Sequence, residues 1–187
     1  MSTPQKSKGK RRSAPEWVEA ALQALMDGGV EAVRVEPLAA KLGVTKGSFY
    51  WHFEDRAALL AAVLEAWEQR TTRRIIELVD AEGAGPRERL LRLLALTSHP
   101  SAHRLEGAVR AWGHQDPAAK VALARVDGDR ERYVSAILVE AGVPKAEAKR
   151  RTRGLYLMLI GGYTWRAHGG QPIDKAVWNT MVNLILR

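Results

Sequence analysis

The sequence predicts an all-α fold of about nine helices, a small N-terminal three-helix domain followed by a larger helical domain. Three observations carry this. Apolar residues recur three and four positions apart along nearly the whole chain. Gly and Pro interrupt the pattern at helix-length intervals, and no run alternates apolar and polar residues as a half-buried strand would. At 187 residues the chain is long enough for one or two cores.

Each element has its own signals. Pro15 is placed to open the first helix, where Trp17, Ala20, Ala21, Ala24 and Leu25 repeat until Asp27-Gly28-Gly29 ends it. Glu36-Pro37 opens the second, with Leu38, Ala39 and Leu42 inward and Gly43 closing it. Thr45 is a natural N-cap for a short third helix with Phe49 and Phe53 at i and i+4. Asp55 caps a long fourth helix reaching Ala81, and Glu82-Gly-Ala-Gly-Pro86 breaks the chain. Helices are then expected over Arg87–Ser98, around Leu105–Trp112, from Asp116-Pro117 to Gly142, over Lys145–His168, and from Ile173 to the end. Pro100 is expected to interrupt helix between His99 and His103, and Gly128 to mark a kink.

Composition narrows the function classes. A content of 46% hydrophobic and 27% charged residues belongs to a globular protein rather than a disordered one. The absence of cysteine removes disulfides, thiolate nucleophiles and Cys-based zinc sites. No apolar segment follows the early lysines as a secretory signal would, so a cytoplasmic protein is expected. The net charge of +8 is concentrated: Lys6, Lys8, Lys10, Arg11 and Arg12 meet no acid, whereas residues 13–56 hold four cations against seven acids. Residues 1–14 therefore read as a disordered basic arm, suited to phosphates or a minor groove, or else simply solubilising. A nucleic-acid surface beyond it must be local and geometric rather than a general positive field.

The densest chemistry lies in Val44-Thr-Lys-Gly-Ser-Phe-Tyr-Trp-His-Phe53. A helix closing on Gly, a three- or four-residue turn, and a short helix mixing an apolar face with Lys, Ser, Tyr and His describe a helix-turn-helix. These ten positions, in that context, resemble the DNA-binding domain of the tetracycline-repressor (TetR) family over residues 15–60. The resemblance implies a homodimeric repressor of a near-palindromic double-stranded operator, released by a small-molecule effector. It divides the chain into the arm, a DNA-binding domain over 15–56, and an effector-binding and dimerisation domain over 57–187.

Roles follow residue by residue. Thr45, Lys46, Gly47 and Ser48 begin the recognition helix, where backbone N–H groups and short side chains meet phosphates and base edges, and Lys46 is suited to guanine. Tyr50 and His52 match positions that hold phosphates, and Arg56 stands where the family commonly has Lys. Arg34 is a further phosphate candidate before the second helix. Trp51 has two readings, packing on the sugar-phosphate backbone or against the first helix.

In the second half, Trp67, His99, His103, Arg110, Trp112, Tyr156 and Tyr163 are the candidates to line an effector pocket, each of them more readily ordinary core or surface when taken singly. The last two helices are more apolar than one subunit needs, and Leu155, Leu159, Gly162, Trp178, Met181, Val182 and Ile185 are the candidate contributions to a four-helix dimer interface. The apolar run is too short to span a membrane. No cofactor or metal is implied: His99 and His103 lack further ligands, and Asp127 and Asp129 read as a solvated helix face. No catalytic motif supports an enzyme. A constitutive DNA-binding or partner-binding helical protein without a ligand fits the same residues.

Overall fold

The protein is described from a computed structural model, over residues 12–81 and 83–187. Its helices are α1 (Ala14–Gly28), α2 (Val35–Leu42), α3 (Lys46–Phe49), α4 (Arg56–Glu68), α5 (Arg74–Asp80), α6 (Pro86–Thr97), α7 (Pro100–Gly113), α8 (Pro117–Glu140), α9 (Lys145–Ala167) and α10 (Lys175–Leu186). A π-helical turn, Gln69–Arg73, joins α4 to α5 without a break, so residues 56–80 form one helix and the all-α count among the described residues is nine. The fold class is the one the sequence predicts, and the described residues contain no strand.

Two compact units divide at Glu65/Ala66, within α4 and nine residues beyond the 56/57 boundary drawn from sequence. In the first unit, α1 begins where Ser13 and Glu16 meet: the Glu16 carboxylate accepts from the Ser13 backbone N–H at 2.8 Å and from its hydroxyl at 3.1 Å. Trp17, Leu22 and Leu25 of α1 are buried with Leu38 of α2, Phe49, Phe53 and Leu59. The turn between α2 and α3 depends on Gly43, whose φ of 68° is left-handed and closes α2 through its N–H. The Thr45 hydroxyl makes no capping bond, although its backbone has the extended N-cap conformation.

One arginine braces this unit in a way the sequence did not announce. Arg12, counted above with the basic arm, donates from Nε to the Leu42 carbonyl at 3.0 Å and from Nη1 to Glu16 at 2.7 Å. It thereby satisfies one of the free carbonyls at the C-terminus of α2, where a cation is favoured. Arg12 to Ala14, within the span assigned to a disordered arm, are therefore held in place, with Ala14 helical; the rest of that arm, residues 1–11, lies outside the described residues.

In the second unit, Leu90 and Leu94 of α6, Ile137 and Leu138 of α8, Leu155 and Leu159 of α9, and Trp178, Val182 and Ile185 of α10 share one core. Each such side chain contributes about 1.5–3 kcal/mol when fully buried. Asp116 caps α8 by accepting from the Ala119 N–H at 3.0 Å, and Asp174 caps α10 through the Val177 N–H at 2.8 Å. One expectation fails here. Pro100 opens α7 rather than interrupting helix, since a proline at a first helical turn loses no intrahelical bond, and the His103 N–H donates to the His99 carbonyl at 3.2 Å. Gly128 lies within α8, which runs without a break from Pro117 to Glu140. No helix among the described residues is long and apolar enough to cross a membrane.

Candidate DNA-binding surface and effector cavity

The recognition surface is built from a short helix pinned by aromatic rings. Phe49 is fully buried, with the Trp17 ring edge-on at 5.3 Å and the Phe53 ring stacked at 5.5 Å. With four helical residues α3 is too short to stand alone, and this packing fixes which side chains it presents. Thr45, Lys46, Gly47 and His52 are exposed, as is Arg34 at the N-cap of α2; Ser48 is half-buried. Tyr50 is 55% exposed and Trp51 76% exposed, so Trp51 does not pack into the core, and Trp17 fills the place of a tryptophan against Phe49.

Two of the expected DNA ligands already have protein partners. Lys46 Nζ lies 2.5 Å from Glu36 Oε1, an exposed pair between α2 and α3. The hydrogen bond and charge of Lys46 pull the Glu36 carboxyl down, and Glu36 in turn raises the Lys46 ammonium. Solvent screens an exposed pair of this kind, so little is surrendered when Lys46 turns to a guanine or a phosphate. Arg56 is more committed: Nε donates to the Val33 carbonyl and Nη2 to the Val30 carbonyl, both at 2.6 Å. It ties the start of α4 to the 3₁₀ turn Val30–Ala32, a structural duty that the phosphate assignment overlooked. The Glu36 and Arg56 partners lie ten or more residues away, where no helical spacing would signal them.

Parts of the chain are similar to known proteins. The family model described as bacterial regulatory proteins, tetR family, matches residues 18–63. The tetracycline repressor protein class C of Escherichia coli is 43% identical over 49 residues, which is 26% of this chain. The likeness to the tetR family lies within this part of the chain. The matched stretch spans 22% of that repressor's length. The fold likeness extends further: a TetR/AcrR-family transcriptional regulator from Thermobifida fusca has a TM-score of 0.68 at 17% identity, covering 93% of this chain and 96% of that one. A regulator from Saccharomonospora viridis in complex with choline has a TM-score of 0.77 at 16% identity, covering 92% and 94%.

The second unit holds a cavity of about 50 Å³, walled by Ile75, Leu94, Val134, Leu155 and Leu159 with Thr71, Thr72, Thr97, Thr152, Arg130 and Tyr156. Of the seven pocket candidates chosen from sequence, Tyr156 is the one on this wall. Trp67 and Trp112 are core, His99 is exposed, and His103 sets its ring edge-on to Tyr163 at 4.8 Å. Burial, with the Arg166 and His99 charges, pulls the His103 imidazole down.

Behind the cavity lies an ion network that sequence did not reveal. Glu106, 2% exposed, accepts from Arg110 Nη2 and Arg130 Nη1 at 2.7 Å each, from Arg130 Nη2 at 3.1 Å and from Trp67 Nε1 at 2.9 Å. Burial pushes the Glu106 carboxyl up, but the charges and hydrogen bonds of Arg130 and Arg110 outweigh it and hold it below the usual range. Arg110 also donates to Asp127 at 2.7 and 3.1 Å, and Tyr156 donates to Asp127 at 2.6 Å. Asp127 thus faces inward, contrary to the solvated helix face expected of it, while Asp129 pairs with Arg132. A run of alternating charges along one helix looks solvated in sequence; only the fold shows which members turn in. Among the described residues no three His, Cys, Asp or Glu side chains group as a metal site would require.

Most of the residues expected at a dimer interface already have neighbours within the protomer. Leu155, Leu159, Trp178, Val182 and Ile185 are buried within the protomer, Met181 is half-buried, and Gly162 is closed off by Ile173, 3.0 Å from where a Cβ would stand. The apolar residues left outside are their neighbours: Leu157, 58% exposed, with Trp165 on α9, and Val177 with Leu184 on α10. The helices are apolar on more than one face, and periodicity alone did not distinguish inner from outer.

Proposed function

We propose that the protein is a homodimeric transcriptional repressor that binds a near-palindromic operator through Arg34 and the 45–52 surface and is released by a small-molecule effector. The observation that carries this is the exposed Thr45–His52 surface on a helix pinned by Trp17, Phe49 and Phe53. Lys46 is placed for base edges, and Tyr50, Trp51, His52 and Arg34 for the sugar-phosphate backbone. Arg56 acts mainly by holding α4 to the turn beneath this surface. Leu157, Trp165, Val177 and Leu184 form the dimer face, and Gly154 and Gly161, exposed and with open space around them, let a partner helix approach.

The cavity in the second unit supports the effector reading, as does the Saccharomonospora viridis relative's complex with choline, a small molecule. Thr71 and Thr72, on its wall, stand on the π turn of the continuous 56–80 helix that begins at Arg56. π turns inside α-helices are frequent at functional sites. A ligand that favours one arrangement of this turn would bias the helix that carries Arg56. Selection of binding sites from random double-stranded DNA tests the reading. It should enrich a symmetric sequence with half-sites about one helical turn, roughly 34–36 Å, apart; enrichment of nothing, by a folded dimer, would overturn it.

A further inference from the structure

We infer that Glu36 and Lys46 together read one G·C base pair in the major groove, Lys46 donating to guanine O6 and N7 and Glu36 accepting from the cytosine N4 amine. The inference rests on the DNA-binding reading above and gives Glu36 a part in it. Glu36 stands in the first turn of α2 and Lys46 is the first residue of α3, so the pair sits where the two helices of the helix-turn-helix meet. Both side chains are exposed, Glu36 at 63% and Lys46 at 52%. Ala40, one turn on from Glu36, and Gly47, beside Lys46, are exposed too and carry no long side chain to overhang the pair.

Glu36 is the one acid between Arg34 and Phe53. A carboxylate on a surface that meets DNA is repelled by phosphates, and the donors it finds in the major groove are the amines cytosine N4 and adenine N6. A purely structural duty explains it poorly. Buried Leu38 and the Arg12 bond to the Leu42 carbonyl already hold α2, buried Phe49 holds α3, and a solvent-screened pair adds little to them. Because the pair is neutral as a whole, it adds nothing to binding by charge alone, and its contribution is to the choice of sequence.

The spacing of the pair fits one base pair. Lys46 Nζ lies 2.5 Å from Glu36 Oε1. On the major-groove edge of G·C, guanine O6 and cytosine N4 are hydrogen-bonded to each other and so lie about 2.9 Å apart. A donor beside an acceptor on the protein thus faces an acceptor beside a donor on the DNA. The ammonium has donors for Glu36 and for guanine O6 and N7 at once, and a carboxylate accepts from more than one donor. Each other base pair loses part of this, written with the base facing Lys46 first. C·G sets an amine against the ammonium and O6 against the carboxylate, and A·T does the same with N6 and O4. T·A keeps O4 and N6 but removes the N7 acceptor from Lys46 and turns the adenine N7 toward Glu36.

Selection from a random-sequence duplex library by the full chain, followed by replacement of each base pair of the enriched site, tests this. Each half-site should hold one G·C whose replacement weakens binding about tenfold or more. Glu36→Ala should relax preference at that pair alone and leave the melting temperature unchanged. It should also raise affinity for duplexes lacking the site and steepen the salt dependence by about 0.9, since Lys46 is released to a phosphate. Glu36→Gln should admit T·A there, because an amide takes adenine N6 and N7 together. Guanine opposite 2-pyrimidinone, a cytosine without its amino group, should weaken the wild type and leave Glu36→Ala unaffected. An enriched half-site with no essential G·C, or Glu36 variants that keep the wild-type preference at every position or lose affinity for all sequences alike, would overturn the assignment of Glu36 and leave the DNA-binding reading standing. A folded protein that enriches no sequence would remove both.

Discussion

Replacing Glu106 by Gln should unsettle the second unit more than any other single polar substitution described here. The carboxylate accepts four hydrogen bonds, from Arg110, twice from Arg130, and from Trp67. Gln offers one acceptor oxygen and turns an amide N–H₂ against guanidinium donors. Arg110 would keep Asp127 at 2.7 Å, but the nearest remaining acid to Arg130 is Asp127 at 4.0 Å. Removing one partner of a buried ion pair costs about 3–5 kcal/mol, because the charge left behind stays desolvated. For a chain of this size each kcal/mol moves the melting temperature by roughly 2–4 °C, so a drop of roughly 6–20 °C is expected. Calorimetry and urea unfolding at neutral pH would measure it. The pH dependence adds a second check. The Glu106 carboxyl is held low in the folded protein, so its contribution is fully present above the ordinary carboxylate value of 4.5 and is lost as pH falls through the folded value. The gap between wild type and Glu106→Gln should therefore narrow as pH falls below that value. A variant within 1 kcal/mol of wild type at neutral pH, or a gap that stays constant in acid, would refute the account of this network.

Three further outcomes follow from the surfaces. Leu157→Glu combined with Leu184→Glu should convert a dimer to monomers in sedimentation equilibrium with helical content unchanged; a persisting dimer would place the interface elsewhere. Trp51→Ala should weaken operator binding with no change in melting temperature, whereas Arg56→Ala should lower both, by about 2 kcal/mol in stability for its charged hydrogen bonds; an Arg56→Ala protein as stable as wild type would return Arg56 to a purely phosphate role. Deleting residues 1–11 removes Lys6, Lys8, Lys10 and Arg11 and should flatten the salt dependence of DNA affinity by up to about 0.9 per lost phosphate contact; an unchanged slope would exclude the arm from the interface.

What could be read from the sequence differs sharply between the two units. Helix starts and stops in the first were legible because Gly43, Asp55 and Pro15 act locally, and the Phe49–Phe53 spacing named its own buried face. Arg12 was counted as tail and Arg56 as a phosphate ligand because carbonyl partners at Leu42, Val30 and Val33 leave no trace in composition. In the second unit the inner face of α9 was misplaced, since Leu155, Leu157, Leu159 and Ile160 are apolar on several sides and periodicity cannot rank them. The cavity escaped for a related reason. Aromatic and cationic residues were favoured as ligand groups, yet the wall consists mainly of threonines and aliphatics from four helices and the π turn, brought together only by packing.

The most direct test of the central claim is a hydroxyl-radical footprint of the protein on its selected operator, with the number of bound chains measured on the same complex. Two chains, or a multiple of two, protecting symmetric patches about one helical turn apart, with Lys46→Ala relaxing base preference while Tyr50→Phe weakens all sequences alike, is the expected result. A single chain on an asymmetric site, or protection indifferent to substitutions across residues 45–52, would contradict it.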